Sequence, residues 1–293
     1  MSKRKIAFIV NPISGTKSKA RVLRYIRTHP VLRNDYLQLY KTKCAGDATV
    51  AAKRFAEEGY DVVVAVGGDG TVNEVAQGLM NTNTVLGIIP MGSGNGLARD
   101  LGLPMSCEKA VDALTTGKVI TIDGGTINGQ HFFCTSGVGY DALVGNCFAT
   151  AKSRGLATYA RISIGKFFRY KPQSYHLYVN GKELQAKAFL ITVANASQWG
   201  NNVRIAPEAD MNDGLFDVVV VSPFPLYAAP SLGIRIFRKA IHRSHYVQVI
   251  KTDSVIIERE EDGFIHYDGE PGFSGKKLEF SMLPNVLKVI ARS

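Results

Sequence analysis

A glycine-rich segment between an apolar run and a helical pattern carries the clearest chemical signal in the sequence. It reads GGDGTVNE and covers residues 67–74. Glycines let the backbone come close to a ligand, and a helix N-terminus offers unpaired N–H groups to a phosphate. Thr71 and Glu74 fit the S/T-x-x-E capping box, which predicts that the helix starts there. We predict a phosphate-binding loop in which Asp69 and Asn73 face a Mg-nucleotide; a merely tight turn is the alternative.

A second glycine-rich segment, PMGSGNGLAR at residues 90–99, also follows an apolar run and precedes a helical pattern. Its Ser93 and Asn95 are candidate hydrogen-bond donors to phosphate or ribose, with a structural turn as the alternative. The G-x-G spacing is similar to a dinucleotide fingerprint, but Leu97 stands at the third glycine position and no acidic residue ends a following strand at the usual distance. A Rossmann-type NAD site is therefore disfavoured.

A third loop, NPISG at residues 11–15, follows the first apolar run of the chain. It lacks the GxxxxGK[ST] pattern, so ordinary P-loop chemistry is disfavoured as well. Loops that follow parallel strands meet at the carboxyl edge of the sheet, where open α/β sheets bind their ligands. The three loops together predict a nucleotide-binding cleft.

Two carboxylates separated by one glycine form a further candidate site, in the segment YDGEP at residues 267–271. This spacing suits one carboxylate as a base toward a hydroxyl and the other as a polar or metal-directed partner. From the residues alone, a solvated acidic turn is the better interpretation. Asp213 and Gly214 likewise indicate only a turn.

The elements that position these loops follow from the spacing of apolar residues. Runs at residues 6–10, 61–66 and 85–89 are apolar on both sides, which is typical of buried strands in a parallel sheet. Helical i, i+3, i+4, i+7 spacing appears at residues 48–56 and 72–79. We predict a doubly wound α/β domain for this half.

After about residue 119 the pattern changes to short strands separated by turn signals. Asn-Gly pairs at residues 128–129 and 180–181 favour type I′ turns and predict two hairpins. The strands expected for these hairpins are 120–127 with 131–135, and 175–179 with 188–193. Further strands are expected at 215–221, 254–258, 264–267 and 277–291. We expect Pro284 to break the last one in two, and the whole half to form an antiparallel β-sandwich.

A formal net charge of +10 and a pI near 9.4 favour an anionic partner, which could be a nucleotide, a nucleic acid or a membrane surface. No nucleic-acid-binding signature is present, so we expect no nucleic-acid partner. Two predicted helices, at residues 151–170 and 226–245, interleave cations with apolar residues, as membrane-surface helices do. Their cations are Arg154, Arg161, Lys166, Arg169, Arg235, Arg238, Lys239 and Arg243. A solvated helix face with its apolar side in the core is the favoured alternative.

No apolar run approaches the length needed to cross a bilayer, and residues 6–10 are too few for a secretory core segment. We therefore expect a cytoplasmic protein that lies transiently at the inner face of the membrane. Four scattered cysteines form no CxxC pair, so neither a structural zinc site nor a disulfide framework is indicated.

Taken together, GGDGTVNEV, PMGSGNGLAR and the first loop resemble the diacylglycerol kinase catalytic superfamily, which includes bacterial lipid kinases and sphingosine kinases. The resemblance covers essentially the whole chain. It implies an N-terminal nucleotide domain similar to that of the NAD kinases, at residues 1–120, to which residues 286–293 return. It also implies a C-terminal β-sandwich at residues 121–285 that binds the lipid, and a cleft between the two domains where ATP meets this substrate.

The resemblance also implies roles for individual residues. The expected ATP contacts are Asn11, Pro12, Ser14, Gly15, Thr42, Gly67, Gly68, Asp69, Gly70, Thr71, Asn73, Glu74, Gly92, Ser93 and Asn95. Residues 209–215 resemble a Mg²⁺ loop, in which the Asp213 carboxylate binds the metal beside backbone oxygens of Asp210 and Leu215. Asp268 is the implied proton acceptor and Glu270 its supporting neighbour, while Asp69 is the alternative base.

We therefore expect an enzyme that transfers the γ-phosphoryl group of ATP, with Mg²⁺, to a hydroxyl of a membrane lipid. Diacylglycerol is our first choice, and a sphingoid base, ceramide or phosphatidylglycerol are alternatives. An NAD kinase and a non-catalytic nucleotide- or lipid-binding module are the rival functions. Exposed edge strands of the sandwich would permit a homodimer.

Overall fold

The computed structural model describes residues 3–15, 19–151 and 156–293. The chain divides into two compact units, Met1–Ile122 with Asn285–Ser293, and Asp123–Pro284. Strands β5 (Lys118–Ile127) and β16 (Lys277–Ala291) run across the boundaries between them. In the part of the chain that the structure describes, no helix has both the length and the apolar character of a membrane span.

The first unit is an α/β domain with a parallel sheet. Its further elements are β1 (Lys5–Val10), α1 (Lys19–Thr28), β2 (Tyr36–Lys41), α2 (Asp47–Glu57), β3 (Val62–Gly67), α3 (Asp69–Leu79), β4 (Val85–Pro90), α4 (Gly96–Asp100) and α5 (Cys107–Thr116). The strand order is β2-β1-β3-β4, and the last part of β16 joins β4 in parallel, with Val289 opposite Leu86. The prediction of a doubly wound α/β domain is confirmed.

Burial explains why the central strands were recognisable from the sequence. Every residue of β3 is buried, because helices cover both faces of a central parallel strand. The core joins Phe8 of β1 and Val64 of β3 to helix residues such as Val22 and Val111. The edge strand β2 is only partly buried and alternates in exposure, and it is absent from the predicted strands.

The second unit consists of two antiparallel sheets. Its further elements are β6 (Gln130–Phe132), β7 (Thr135–Gly139), α6 (Tyr140–Ala149), α7 (Leu156–Phe167), β8 (Gln173–Val179), β9 (Lys182–Ala188), β10 (Leu190–Ala194), β11 (Phe216–Val221), α8 (Ala229–Phe237), β12 (Val247–Thr252), β13 (Ser254–Arg259), β14 (Gly263–Tyr267) and β15 (Glu270–Ser274). One sheet has the order β12-β11-β10-β7-β14-β15, and the other contains β16-β13-β8-β9. Side chains of both sheets, including Ile191, Phe216, Leu177 and Phe280, share one core. The predicted antiparallel β domain is confirmed.

Both Asn-Gly hairpin turns are present, but their partner strands differ from the prediction. Asn128 and Gly129 have φ of 47° and 82°, and Asn180 and Gly181 have φ of 51° and 70°, as a type I′ turn requires. The strand after the second turn is β9, with Lys182 opposite Val179, while most of the predicted partner is β10 in the other sheet. The sequence KELQAKA of β9 has few apolar residues, so its strand pattern is weak. Similarly, the strand predicted at residues 131–135 divides into β6 and the start of β7.

The predicted break at Pro284 is wrong, because β16 continues from Lys277 to Ala291. Its residues 277–281 pair with β13, whereas Val289 pairs with β4. Pro284 lies between these two pairings, where the absence of its N–H is tolerated. The two predicted basic helices are shorter than expected: α7 covers Leu156–Phe167 and α8 covers Ala229–Phe237. Residues 152–155, which include Arg154, lie outside the described part of the chain.

Candidate active site

The first unit brings the predicted nucleotide loops together at one edge of its sheet. Asn11, Thr42, Gly68 and Met91 directly follow β1, β2, β3 and β4, and parallel strands end on the same side. Backbone hydrogen bonds continue the ladder beyond the strands, from Thr42 N to Val10 O at 3.0 Å and from Asn11 N to Val66 O at 3.1 Å. The sheet therefore fixes the order of the loops along this edge.

The glycines of these loops lie against neighbouring backbone. A Cβ atom at Gly92 would lie 2.7 Å from the Cα of Gly68 and 2.9 Å from Asn95 Oδ1. At Gly15, which has a φ of 61°, a Cβ would lie 1.8 Å from Met91 O. Side chains cannot be accommodated at such distances, so glycine is what allows the three loops to pack together.

Asp69 connects two of the loops. Its Oδ2 accepts a hydrogen bond from Asn95 N at 2.9 Å, and its Oδ1 accepts one from Gly96 N at 2.7 Å, at the start of α4. Protein atoms surround the carboxyl group, and this burial raises its pKa above the ordinary value, although the N–H donors act in the opposite direction. Both carboxylate oxygens thus hold the second glycine loop in place.

Asn95 and Asn11 also shape the loops rather than presenting free amides. Asn95 is buried and exchanges two hydrogen bonds of 2.9 Å with the backbone of Gly92, one through Oδ1 and one through Nδ2. This geometry does not support the predicted role of the Asn95 amide as a phosphate donor. Asn11 donates to Thr71 Oγ1 at 3.1 Å, and its Oδ1 accepts from Ile13 N. The Ser93 side chain, by contrast, is exposed.

Glu74 caps the neighbouring helix rather than its own helix. Its Oε1 accepts from Gly46 N at 2.9 Å and its Oε2 from Ala48 N at 3.2 Å, so it caps the N-terminus of α2. The predicted capping box is wrong, because α3 already begins at Asp69 with Gly68 as its N-cap. Glu74 lies more than one turn into that helix and faces α2 instead. Its carboxylate therefore links the two helices that flank the loops.

Two polar side chains complete the surroundings of this edge. Asn73 is buried on α3, and its Oδ1 accepts from Gln77 Nε2 at 2.6 Å. Asp47, five residues after Thr42, accepts from the Tyr40 hydroxyl and from Lys43 N, each at 2.7 Å. The hydrogen bond from Tyr40, followed by that from Lys43, lowers the pKa of the Asp47 carboxyl.

In the second unit, Asp268 and Gly269 form the two-residue loop that joins β14 to β15. Their φ values are 49° and 83°, as in a type I′ turn, and Tyr267 lies opposite Glu270. Asp268 N donates to Thr135 O at 2.8 Å, which attaches the loop to the start of β7. The sequence pattern predicts the end of a strand here, but β15 and therefore the hairpin are absent from the predicted elements.

The Asp268 carboxylate is oriented by three backbone donors. Its Oδ2 accepts from Phe133 N at 2.8 Å, and its Oδ1 accepts from Cys134 N at 2.7 Å and Thr135 N at 3.1 Å. Several charge-assisted hydrogen bonds fix a carboxylate in one orientation. Glu270 is exposed on the following strand. The structure thus holds one carboxylate of the pair firmly and exposes the other.

The predicted metal loop contains exposed oxygen atoms. Asp213 is exposed; its Oδ1 accepts from Leu215 N at 3.0 Å, and its Oδ2 lies 3.1 Å from Lys251 Nζ. Lys251 also lies 3.0 Å from Asp217 Oδ1. Burial raises the pKa of Asp217, while the two aspartates raise the pKa of Lys251 against the effect of burial. No cluster of three or more metal-ligating side chains occurs among the residues that the structure describes.

Besides Asp217, two other buried carboxylates of the second unit, Asp123 and Asp141, are absent from the predicted site residues. Asp123 is fully buried on β5; its Oδ2 accepts from Gly214 N at 2.8 Å, and its backbone N donates to Met211 O at 2.6 Å. A carboxylate within the apolar run at residues 119–127 is a signal that could have identified it. Asp141 lies 3.0 Å from His266 Nε2, and both are buried.

Comparison with known proteins places both units in families. Residues 5–127 match the family described as "Diacylglycerol kinase catalytic domain". Residues 135–291 match the family described as "YegS C-terminal NAD kinase beta sandwich-like domain". The two matches together extend over nearly all of the chain.

Individual proteins that are similar to this chain are also named as lipid kinases. A protein of Bacillus subtilis named diacylglycerol kinase is 30% identical over 273 residues, which cover 90% of this chain and 89% of the relative. A protein of Chromohalobacter salexigens named "Probable lipid kinase YegS-like" is 29% identical, over 84% of this chain and 81% of its own length.

A solved structure supports the fold as well. The crystal structure of a diacylglycerol kinase from Bacillus anthracis superposes with a TM-score of 0.79 at 25% identity, and covers 100% of this chain and 98% of that one. Sequence and structural similarity thus extend through both units. The chain belongs to the diacylglycerol kinase catalytic superfamily, a family of lipid kinases.

Proposed function

We propose that this lipid kinase transfers the γ-phosphoryl group of ATP to the free hydroxyl of diacylglycerol. The observation that carries the choice of lipid is the similarity to a diacylglycerol kinase along 90% of the chain, which includes the second unit. Phosphoryl transfer depends mainly on positioning and on neutralising charge. The residues of both units are suited to these tasks.

ATP would bind at the carboxyl edge of the first unit's sheet. The loops there present backbone N–H groups and the N-terminus of α3, which favour phosphate. Ser93 is an exposed donor on the second glycine loop, and Thr42 lies at the end of β2. Glu74, Asn95 and Asp69 would act indirectly, by holding the loops that contact the nucleotide.

Magnesium would bind at residues 210–215. The Asp213 carboxylate and backbone oxygens of Asp210 and Leu215 are hard oxygen donors of the kind that Mg²⁺ prefers, and the exposure of Asp213 leaves it accessible. The donor set therefore fits the ion, with the rest of its coordination completed by water. When bound, Mg²⁺ would neutralise negative charge on the phosphates.

Asp268 would accept the proton of the lipid hydroxyl. Three backbone N–H groups hold its carboxylate in one orientation, which is what a positioned base needs. The exposed Glu270 would support it through the local negative charge. Both candidates accept backbone hydrogen bonds through each oxygen, and Asp69 is the weaker one because burial among the glycine loops encloses its carboxyl group.

The lipid would be reached by peripheral contact with an anionic membrane surface. Exposed apolar side chains lie on both basic helices, with Ile164 and Phe168 at α7 and Ile234 and Phe237 on α8. Cations accompany them, and both helices pack on one aromatic cluster around Phe189. An exposed apolar face bordered by cations is typical of helices that lie on membranes.

Vesicle sedimentation tests the membrane contact. We expect binding to vesicles that contain phosphatidylglycerol but not to pure phosphatidylcholine, and weaker binding for the double variant Phe168→Ser with Phe237→Ser. The matched control is Phe273→Ser, because Phe273 is similarly exposed on β15. Equal binding to both vesicle types would contradict this part of the proposal.

Transfer of labelled phosphate tests the reaction itself. ATP and Mg²⁺ are supplied with mixed micelles of diacylglycerol, sphingosine, ceramide or phosphatidylglycerol, and with NAD as the soluble control. Product on diacylglycerol that is lost in Asp268→Asn supports both the substrate and the base. If another lipid is phosphorylated instead, only the proposed identity of the lipid substrate changes. Phosphorylation of NAD, or no transfer at all, overturns the proposal.

A further inference from the structure

Asn195 follows β10 and is fully buried in the second unit. Its Nδ2 donates two hydrogen bonds, to Asp123 O at 3.0 Å and to Phe133 O at 2.8 Å. Both partners are carbonyl oxygens, which only accept, so the orientation of the amide is fixed by its surroundings. The side chain therefore clamps two backbone segments that are far apart in the sequence.

Each clamped segment leads to a group of the proposed reaction. Phe133 offers its carbonyl to Asn195 and its N–H to the Asp268 carboxylate. The backbone N–H groups of Asn195 and Ala196 both donate to Cys134 O at 2.9 Å, so the segment that orients Asp268 is held twice. The position of Asp268 thus depends on the position of Asn195.

The other segment leads to the proposed magnesium loop. Asp123 accepts the Asn195 amide through its backbone oxygen, and it binds the loop through Met211 O and Gly214 N. Four successive hydrogen-bonded steps, through Asp123, Asn195 and Phe133, therefore connect the loop at residues 210–215 with Asp268. All of them lie inside the second unit.

The remaining atom of the amide argues against a role in stability alone. Asn195 Oδ1 is buried and has no hydrogen-bond partner among the described residues. An unpaired buried acceptor costs free energy, which an apolar side chain of similar size would avoid. Such a side chain could not donate to two carbonyl oxygens at once, and the clamp is what asparagine provides.

We propose that Asn195 is a positioning residue that holds Asp268 and the loop at residues 210–215 in their active arrangement. This inference rests on the proposed function, which gives those two groups their roles. Asn195 touches neither substrate nor metal in this scheme and acts through Phe133 and Asp123. Loss of the clamp should affect the chemical step more than ATP binding, because the ATP loops belong to the other unit.

The test compares Asn195→Ala with Thr192→Val. Thr192 is equally buried on β10, but its hydroxyl donates to Asp141 and contacts neither clamped segment. For Asn195→Ala we expect kcat per folded molecule to fall about 10²-fold, as for small misplacements of reacting groups, with the KM for ATP unchanged. The control variant should keep its kcat. Asn195→Ser, which retains a single donor, should fall between.

Hydrogen–deuterium exchange supplies a readout that does not depend on activity. Residues 133–135 and 211–215 should exchange faster in Asn195→Ala, whereas β11 should exchange as in the unaltered protein. Faster exchange everywhere, a loss of kcat no greater than in Thr192→Val, or failure of both Asn195 variants to fold would each overturn the inference. Full activity of Asp268→Asn would instead disprove the role of Asp268 as the base, and the role of Asn195 that depends on it would be disproved as well.

Discussion

The molecule uses the same interaction at two aspartates, one at the start of a helix in the first unit and one in a hairpin turn in the second, with different surroundings. Asp69 in the first unit accepts backbone hydrogen bonds from Asn95 and Gly96, and Asp268 in the second accepts three, from residues 133–135. The glycines near Asp69 lie against other backbone atoms. Gly269 beside Asp268 has a φ of 83° and open space around its Cβ position.

This difference separates two ways in which the chain around an aspartate is restricted. Near Asp69 the choice of residue is restricted by contact, because backbone atoms of one loop occupy the space that a side chain on the neighbouring loop would need. The Asp268 region is restricted by backbone conformation, because a type I′ loop needs positive φ at both positions. A group enclosed by contacts suits support of a bound nucleotide, whereas a carboxylate on a hairpin loop can meet a substrate.

The largest expected effect comes from Asp268→Asn. If Asp268 is the base, removal of its proton-accepting charge lowers kcat about 10³-fold, within the range of general base catalysis. The measurement is phosphate transfer to diacylglycerol at saturating ATP, corrected for the folded fraction. Asp69→Asn is the matched comparison and should lose mainly stability, because both oxygens of Asp69 serve the loop.

The reverse result would exchange the two roles. In that case Asp69→Asn would fold normally but lose kcat about 10³-fold, and Asp268→Asn would stay active. This pair of results would make Asp69 the base. The distinction between a supporting turn and a reacting turn would then be inverted.

The second largest effect concerns Gly92. In Gly92→Ala the new Cβ meets the Cα of Gly68 at 2.7 Å, so backbone must shift; we expect a loss of about 2 kcal/mol in unfolding free energy, and a raised KM for ATP. Gly269→Asn should be nearly neutral, because asparagine tolerates positive φ and nothing lies within 4 Å. Urea unfolding measures both. If Gly92→Ala and Gly269→Asn lost equal unfolding free energy, the two regions would not differ in how they are restricted.

Much of the fold was predictable because its signals are local. Strands β1, β3 and β4 are apolar on both sides since helices cover them, and two Asn-Gly pairs mark type I′ turns directly. Strand β9 was not predicted because its residues are mostly polar. The break predicted at Pro284 was wrong because a long strand can change its partner strand at a proline. Local patterns do not record which strand lies opposite.

The site was predictable in its location but not in its hydrogen bonding. The glycine motifs alone predicted the nucleotide loops, and the family resemblance added the roles of the DGE segment. The side-chain partners of Glu74 and Asn195 lie up to 72 positions away along the chain, and the Asn95 side chain bonds Gly92 within its own loop, whose course the sequence does not reveal. Residues that act through a second residue therefore emerge only from the structure.

Glu74 is a third carboxylate that accepts backbone hydrogen bonds, here two of them in a helix cap, and its proposed part in the reaction is only indirect. Glu74→Gln leaves only one good acceptor for Gly46 and Ala48, so we expect a loss of about 1 kcal/mol in unfolding free energy, and an effect on kcat much smaller than that of Asp268→Asn. Chemical denaturation measures it. Glu57→Gln on the exposed side of α2 is the control and should be neutral. Equal stability of the two variants would show that the cap contributes nothing.

The smallest effect concerns the pH dependence of stability through Asp47. Hydrogen bonds from Tyr40 and Lys43 lower its pKa in the folded protein below the ordinary value of 3.8. A carboxyl with a lowered folded pKa contributes stability above the unfolded value, and loses this contribution as pH falls through the folded pKa. The unaltered protein should therefore exceed Asp47→Asn in unfolding free energy at pH 7, by less than the Glu74 effect because Asp47 is solvent-accessible. The difference should shrink below pH 3.8. Unfolding curves across this range that keep a constant difference between the two proteins would show that the Asp47 hydrogen bonds do not favour its charged form.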